Sequence, residues 1–392
     1  MSSFWQVCVP CINVSEFKKN FKHILSAFQD MQKNEVEFIV CTTEQRIDEY
    51  SKAIASAKPK ANVFLFSANM FEDFCHKELG VWFFGESLGH ARNCLLLASH
   101  ILNPEAHVVM LGEDSIPSKS TVSAYSDAFR SYDVVQGSVI GQVKNSAYAM
   151  VYFFQALERG EQEHALKILS GNWKFKEKTV GVSGFSASNY GVRANLKLGA
   201  HFAPNNTFAE HFYEFSLRLL NNTAKFFDDV KDPAKIPEVV CEPKTYYPGY
   251  LVDSYAQVLR DAITESFFYY KTVNCIPRII EGKHSLLAIK EFDIEAIAEM
   301  VSNDAALPKF KKAAEHYLKQ GKLVPEVEEQ VRKILWLDKK QYVPSGKDLF
   351  ADWAAFQEEG SKFKNIIENV SSAPESIKEK LVELAKVSPK QK

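Results

Sequence analysis

The chain has 392 residues, of which 46% are hydrophobic and 24% charged; this is the composition of a globular protein and excludes a disordered one. The formal net charge of -2 provides no overall field that favours nucleic acid, and no apolar run approaches the length of a membrane span. The length exceeds one ordinary core, so we expect two domains or one enlarged domain. Seven scattered cysteines, an odd number, indicate reduced thiols and a cytoplasmic protein.

The first part of the chain alternates short apolar strands with helices. Ser15 is the predicted N-cap of the first helix. In chain order, strands are predicted at Val7–Pro10, Val36–Cys41 and Asn62–Phe66, and helices from Phe17 to Phe28 and from Arg46 to Ala57. Strands and helices of these lengths predict βαβ units and a mainly parallel sheet. The C-x-x-C of Cys8 and Cys11 has no second pair that could complete a zinc site, so both thiols are expected in the core.

Two carboxylates follow the apolar run that begins at Val108. The run predicts a buried strand, and Glu113 and Asp114 come where the chain leaves the sheet. Ligands of open α/β sheets bind at that edge, and hard oxygen donors there suit Mg²⁺ or Mn²⁺, which would in turn hold a phosphate. A strand followed by a solvated acidic turn is the alternative.

The stretch Gly85–Asn93 precedes this strand. Its glycines permit a tight loop that leads into a predicted helix from Cys94 to Ile101. Such a loop would bring backbone N–H groups and Arg92 near a bound phosphate, and the alternative is an ordinary helix-start turn. Further on, helices are predicted after Pro117 to Arg130, at Ala147–Leu157, at Gln162–Leu169 and from Ala209, with a strand at Val134–Val139.

From about Asp228 the pattern changes to a proline-punctuated connection and then to helices. These are predicted at Val252–Tyr270, Phe292–Val301, Lys309–Gln320, Pro325–Trp336, Lys347–Glu359 and Ser376–Lys386. We therefore predict an α/β domain over residues 1–225, which would bind the substrate, and a helical C-terminal region over 226–392.

Five short segments, taken in order, resemble the GT-A fold glycosyltransferases, especially those of family 2. The resemblance covers roughly the first 225 residues and implies a Rossmann-like, mainly parallel sheet. The matching segments are Pro10–Asn13 for P-x-x-N, Gly89–Asn93 for G-x-A-R-N, Met110–Pro117 for a strand ending in D-x-D, Ser188–Arg193 for G-N-x-x-x-R, and Glu210–Arg218 for E-D-x-E-x-x-x-R.

This resemblance implies roles for individual residues. Asp114, with Glu113, would hold Mn²⁺ or Mg²⁺ on the diphosphate of a nucleotide sugar, with a UDP-sugar favoured. The implied catalytic base is Glu210 or His211, with Glu210 preferred. The remaining implied contacts are Pro10, Asn13, Thr42 and Arg92 for the donor, and Asn189 and Arg193 on the acceptor side.

The chain departs from the family pattern at three places. Gly112 stands where the first Asp of D-x-D is expected, and Thr42 and Thr43 replace acidic residues after the second strand. In strict register, the E-D pair falls on His211 and Phe212, so a shift of one residue is needed to bring Glu210 to the site.

The favoured function is therefore a metal-dependent glycosyltransferase, inverting by family, acting on an acceptor that the sequence does not identify. A retaining enzyme resembling mannosylglycerate synthase is an alternative. Gly112 and Phe212 motivate a second alternative, which is a GT-A-like binding or scaffolding module without catalysis. A nucleotidyltransferase is disfavoured because no glycine-rich loop follows the first strand.

Overall fold

The computed structural model describes residues 4–31, 35–83, 85, 87–140, 146–169, 178–179, 189–204, 209–221, 223–227, 235–241, 251–277, 286–371 and 375–387. The strands are β1 (Trp5–Pro10), β2 (Val36–Thr42), β3 (Asn62–Ser67), β4 (His107–Leu111), β5 (Ser115–Pro117), β6 (Val134–Gln136), β7 (Ser138–Ile140), β8 (Lys178–Thr179), β9 (Asn189–Val192), β10 (Glu238–Cys241), β11 (Cys275–Pro277) and β12 (Leu286–Ala288). The helices are α1 (Val14–Ala27), α2 (Ile47–Ala57), α3 (Ala68–Leu79), α4 (Leu88–Leu102), α5 (Lys119–Ala128), α6 (Ser146–Glu158), α7 (Gln162–Leu169), α8 (Ala209–Leu220), α9 (Leu251–Val273), α10 (Ile294–Asp304), α11 (Leu307–Gln320), α12 (Pro325–Leu335), α13 (Gly346–Ser371) and α14 (Ser376–Ala385).

The central sheet has six strands in the order β3-β2-β1-β4-β9-β6. Strands β1 to β4 are parallel to one another, and β9 runs antiparallel to both β4 and β6. The prediction of an α/β fold with a mainly parallel sheet is therefore confirmed. A second sheet, β5-β10-β7-β8, and the β11–β12 pair complete the strand pairing of the described residues.

Alternate residues of the central strands enter different cores, as the period of two along a strand requires. Val7 and Val9 of β1 pack in one core with Phe17 of α1 and Tyr50 of α2. Cys8 lies in the core on the opposite face, where α3, α4, α8, α9, α13 and α14 contribute buried side chains. The sheet is thus covered by helices on both faces, which is the usual setting of parallel strands.

A third core is built from helices, their connections and Ile276 of β11. It joins α6 and α7 to α9, α10, α11 and α12, with Phe153, Leu259 and Phe310 among its buried side chains. Two of these helices precede residue 225, while β10 follows it and pairs with β5 and β7. The domain division at residue 225 stays a prediction. Elements from both sides of residue 225 share the third core and the second sheet.

Two predicted boundaries differ from the structure for local reasons. The N-cap of α1 is Asn13, not Ser15, because the Asn13 Oδ1 accepts the N–H groups of Ser15 and Glu16. The single strand predicted at Val134–Val139 is two strands, β6 and β7, divided at Gly137.

The long helices of the C-terminal half raise the question of a membrane span. No helix in the described part of the chain is long and apolar enough to cross a membrane.

Candidate functional site

The parallel strands of the central sheet reverse their order at one point, between β1 and β4. From β1 the chain adds β2 and then β3 on one side, and β4 is then placed on the other side of β1. In open α/β sheets, ligands bind outside the carboxyl ends of the strands at such a point. The loops Cys11–Asn13 after β1 and Gly112–Asp114 after β4 meet there, and we call these two loops the switch-point edge.

Glu113 ties the two loops of the switch-point edge together. Its Oε2 accepts the N–H groups of Ile12 and Asn13, each at 2.8 Å, and its Oε1 lies 2.9 Å from the Asn13 nitrogen. The hydroxyl of the buried Tyr50 donates to the same Oε2 at 3.3 Å. Glu113 is only 7% exposed. The carboxylate therefore holds the loop after β1 against the loop after β4.

Asp114 follows directly and is also buried, at 6% exposure. Within the described residues, no group of three or more His, Cys, Asp or Glu could hold a metal ion. A site built on Asp114 would thus supply one or two carboxylates only. Mg²⁺ is commonly held in this way when substrate phosphates and water complete its coordination. The residues at this edge fit such a cation, with Asp114 as its predicted protein ligand.

The predicted nucleoside contacts lie at the ends of the neighbouring strands β1 and β2. Pro10 is paired with Cys41 and is buried, and Thr42 is 4% exposed at the last position of β2. Asn13 is exposed, with its side chain engaged as the cap of α1. In addition, Arg46 donates from Nη1 to the carbonyl of Ile12 at 2.5 Å. The sequence reasoning missed Arg46.

The predicted phosphate-facing loop is largely helix. Ser87 caps α4, which begins at Leu88, so the G-x-A-R-N match lies inside the helix. The loop predicted to continue to Asn93 is therefore wrong at its C-terminal end. A Cβ at Gly89 would come within 2.3 Å of the Ala203 carbonyl oxygen. Because glycine has no Cβ, the start of α4 can pack closely against the backbone at Ala203.

His90 and Asn93 of that match form a buried network, which we call the His90 clamp. His90 Nε2 is 2.9 Å from Oε1 of Glu72 on α3, and its Nδ1 is 2.7 Å from Oε1 of Glu359 on α13. Asn93 donates to the same Glu359 oxygen at 3.0 Å. Burial alone would lower the pKa of His90, but hydrogen bonds to the two carboxylates outweigh it and raise the pKa to about 9. The clamp therefore carries a buried imidazolium between two carboxylates.

Arg92 lies on the same helix and is 7% exposed. Its guanidinium carbon stands 5.5 Å from the centre of the Phe202 ring, a cation–π contact. Its predicted role at the donor phosphate stays a prediction.

The predicted acceptor-side residues hold strands and loops together. The Asn189 amide donates to the carbonyls of Ser138 and Pro237 and accepts from the Tyr125 hydroxyl at 2.7 Å. Arg193 donates to Asp133 at 3.0 Å and to a backbone carbonyl. These contacts give both residues structural roles, and a contact with an acceptor stays a prediction. Ser188, the first residue of this predicted segment, lies outside the described residues.

The predicted base lies at the start of α8. Glu210 and His211 belong to the first turn of this helix, and their side chains lie outside the described residues. Phe212, which follows them, is 1% exposed and packs edge to face against Phe268 and Phe356. The aromatic residue at the expected acidic position therefore anchors the helix start in the core.

Comparisons with known proteins place glycosyltransferases among the structural neighbours. No protein-family model matches the chain, and no curated protein matches it by sequence. The mannosyltransferase PcManGT of Pyrobaculum calidifontis, in complex with GDP-Man and Mn²⁺, is 14% identical, with 95% of this chain and 86% of that chain covered and a TM-score of 0.41. TarS of S. aureus, in complex with UDP-GlcNAc, is 12% identical, with 93% of this chain and 90% of that chain covered and a TM-score of 0.42. Glucosyl-3-phosphoglycerate synthase of M. tuberculosis is 17% identical, with 67% of this chain and 80% of that chain covered and a TM-score of 0.36. Likenesses of this size carry no argument about the function of this chain.

Proposed function

We propose that the chain is a GT-A fold glycosyltransferase that moves a sugar from a nucleotide diphosphate donor, with a UDP-sugar favoured, to an acceptor. One observation carries the proposal. The reversal of strand order between β1 and β4 brings Asp114, at the carboxyl end of β4, beside the loop after β1. That is where a ligand of such a sheet binds, and it is where the D-x-D resemblance assigns the donor.

A divalent cation fits this proposal through its charge. Mn²⁺ or Mg²⁺ on Asp114 would neutralise the negative charge that develops on the leaving diphosphate. The roles of the protein residues are to hold that ion, to seat the nucleoside over the loop after β1, and to take a proton from the acceptor at Glu210 or His211. We propose an inverting transfer, by the family resemblance, with a retaining outcome as the alternative.

A GT-A-like binding module without catalysis is the second candidate. The burial of Phe212 favours it, because this residue occupies the register position of an acidic residue and cannot accept a proton. Both candidates bind the donor, and only the enzyme releases the nucleoside diphosphate.

Turnover tests the proposal. The protein is incubated with a panel of UDP- and GDP-sugars and Mn²⁺, with and without pooled small-molecule and glycan acceptors, and nucleoside diphosphate release is measured. We expect release from at least one donor, its loss in the Asp114→Asn variant, and its retention in Asp127→Asn, which alters an exposed aspartate of α5. Binding without release in any mixture would favour the binding module, and absence of binding would contradict both candidates.

A further inference from the structure

The peptide group that joins Ile12 to Asn13 is held from both sides by charged residues. Its N–H donates to the Glu113 carboxylate at 2.8 Å, and its carbonyl accepts from the Arg46 guanidinium. A second N–H, that of Ile12, also donates to Glu113. Hydrogen bonds to ionised groups are roughly twice as strong as neutral ones, so the orientation of this peptide group is fixed by opposite charges.

The two charged residues come from different strands. Glu113 follows β4 and Arg46 follows β2, while the loop that they hold follows β1, the strand between them. The loop is thus fastened at the centre of the switch-point edge. Its outer surface is formed by the Ile12 side chain, which is 62% exposed, and by Asn13, whose side chain is engaged in capping α1.

The Glu113 carboxylate faces the loop after β1 and the Tyr50 hydroxyl. The Glu113 Oε2 accepts three hydrogen bonds, two from backbone N–H groups and one from Tyr50. Each of these donors lies on the β1–β2 side of the switch point. This arrangement serves the loop after β1, whereas the sequence suggested a metal-ligand role for Glu113 together with Asp114.

We propose that Glu113 and Arg46 are positioning residues that hold the loop Cys11–Asn13 in the shape required by the nucleoside of the donor. The metal ion is left to Asp114. This inference rests on the proposed function, because it assigns the nucleoside and the diphosphate of one donor to neighbouring parts of the same edge. Neither residue needs to touch the donor, since each acts through the backbone of the loop.

Fragments of the donor separate the two roles. Binding of UMP without metal reports on the nucleoside seat, and binding of Mn²⁺ with inorganic diphosphate reports on the cation site; calorimetry measures both. We expect Glu113→Gln to weaken UMP about tenfold or more, the usual effect of losing a charge-assisted hydrogen bond, and to leave Mn²⁺–diphosphate within about twofold. Asp114→Asn should do the reverse.

Arg46 provides the second variant, because it is exposed and its replacement does not endanger folding. Arg46→Met should weaken UMP in the same direction as Glu113→Gln, and Arg46→Lys should restore part of the affinity. The matched control is Arg130→Met, which removes an exposed arginine that pairs with Asp127, three residues earlier on the same segment. It should change neither affinity.

The outcomes distinguish this inference from the function on which it rests. If Glu113→Gln loses Mn²⁺–diphosphate and keeps UMP, Glu113 is a metal ligand and the positioning role is overturned, while the proposed function stands. Equal loss of both ligands in Glu113→Gln, or unchanged UMP binding in Arg46→Met, also overturns it. If the wild-type protein binds neither fragment nor any nucleotide sugar, the proposed function falls and the inference falls with it.

Discussion

The switch-point edge and the His90 clamp both bury carboxylates, and they satisfy them in different ways. At the switch-point edge, Glu113 accepts backbone N–H groups, and Asp114 lies beside it. In the His90 clamp, Glu72 and Glu359 face an imidazole from both sides. Backbone dipoles leave the negative charge of a carboxylate in place, whereas a buried cation offsets it. The first arrangement suits a site that attracts a metal ion, and the second suits a contact that fastens one helix to others.

The comparison also separates two segments that the family resemblance assigns to the donor. The match at Gly112–Asp114 lies at the carboxyl ends of the strands, as expected. In the match at Gly89–Asn93, His90 and Asn93 do not serve the strand ends, because both contact Glu359 on α13. The family resemblance therefore identifies both segments, but the contacts of the individual side chains in the fold are needed to interpret each residue.

The largest expected effect tests the proton transfer proposed at the start of α8. Glu210→Gln should lower turnover by about 10²–10⁴-fold with donor binding little changed, since it removes the proposed general base. The positive end of a helix favours an ionised carboxylate, as a base requires. Steady-state kinetics on this variant and on His211→Ala give the comparison. Normal turnover in Glu210→Gln with loss in His211→Ala would reverse the roles, and no loss in either would place the base elsewhere.

The next effect is on stability and concerns the His90 clamp. His90→Gln removes the cation and leaves two buried carboxylates without it, which should lower the free energy of unfolding by about 3–5 kcal/mol. Glu359→Gln keeps a hydrogen-bond acceptor and leaves a balanced Glu72–His90 pair, so its loss should be about 1 kcal/mol. Denaturant unfolding measures both. Equal losses in the two variants would show that hydrogen-bond geometry, and not charge, sets the strength of the clamp.

The same clamp predicts a dependence on pH. Because the pKa of His90 is raised from 6.5 to about 9, the folded protein holds this proton more tightly than the unfolded chain. The stabilisation is complete below about pH 6.5 and is lost as the pH rises through 9, by at most about 1.4 kcal/mol per pH unit. Burial lowers the pKa of Lys197 to about 7, which acts in the opposite direction over part of this window.

The contribution of His90 is isolated by comparing the wild-type protein with His90→Gln at each pH, because Lys197 is present in both. The difference in their free energies of unfolding should shrink between pH 6.5 and 9. A difference that stays constant over this range would contradict a protonated His90.

The smallest expected effect concerns how closely α13 approaches the sheet domain. A Cβ at Gly360 would lie 2.5 Å from the His201 ring, whereas a Cβ at Gly346 would meet nothing within 4 Å. Overpacking lowers the free energy of unfolding by about 1–3 kcal/mol, whereas a Gly-to-Ala change inside a helix raises it by about 1 kcal/mol. Gly360→Ala should therefore lower the melting temperature slightly and Gly346→Ala should not. Equal melting temperatures would contradict the close packing of α13.

Periodic and local features of the sequence predicted much of the fold. The strand–helix alternation gave the parallel sheet, and the helices after residue 250 begin and end within a few residues of their predicted limits, except that α13 continues to Ser371. Gly137 was not recognised as a strand boundary, because the reason for it lies in the Asn189 side chain, which would be 2.0 Å from a Cβ at that position.

The site was predicted less completely, because its contacts join residues far apart in the chain. Glu113 reaches residues 101 and 100 positions earlier, and Glu359 reaches His90 across 269. No spacing within a helix or strand encodes such pairs. The adjacency of Glu113 and Asp114 pointed to this edge of the sheet, whereas the backbone partners of Glu113, and the contact of Arg46 with the same loop, required the fold.

The central claim is that Asp114 at the switch-point edge binds the cation that holds the nucleotide. The most direct measurement is the shift in melting temperature produced by UDP with and without Mn²⁺, in the wild-type protein and in Asp114→Asn. A ligand that binds only the folded state raises the melting temperature. We predict a Mn²⁺-dependent shift in the wild-type protein and its loss in Asp114→Asn, with the melting temperatures of the two ligand-free proteins alike. An equal Mn²⁺-dependent shift in both proteins would contradict the claim.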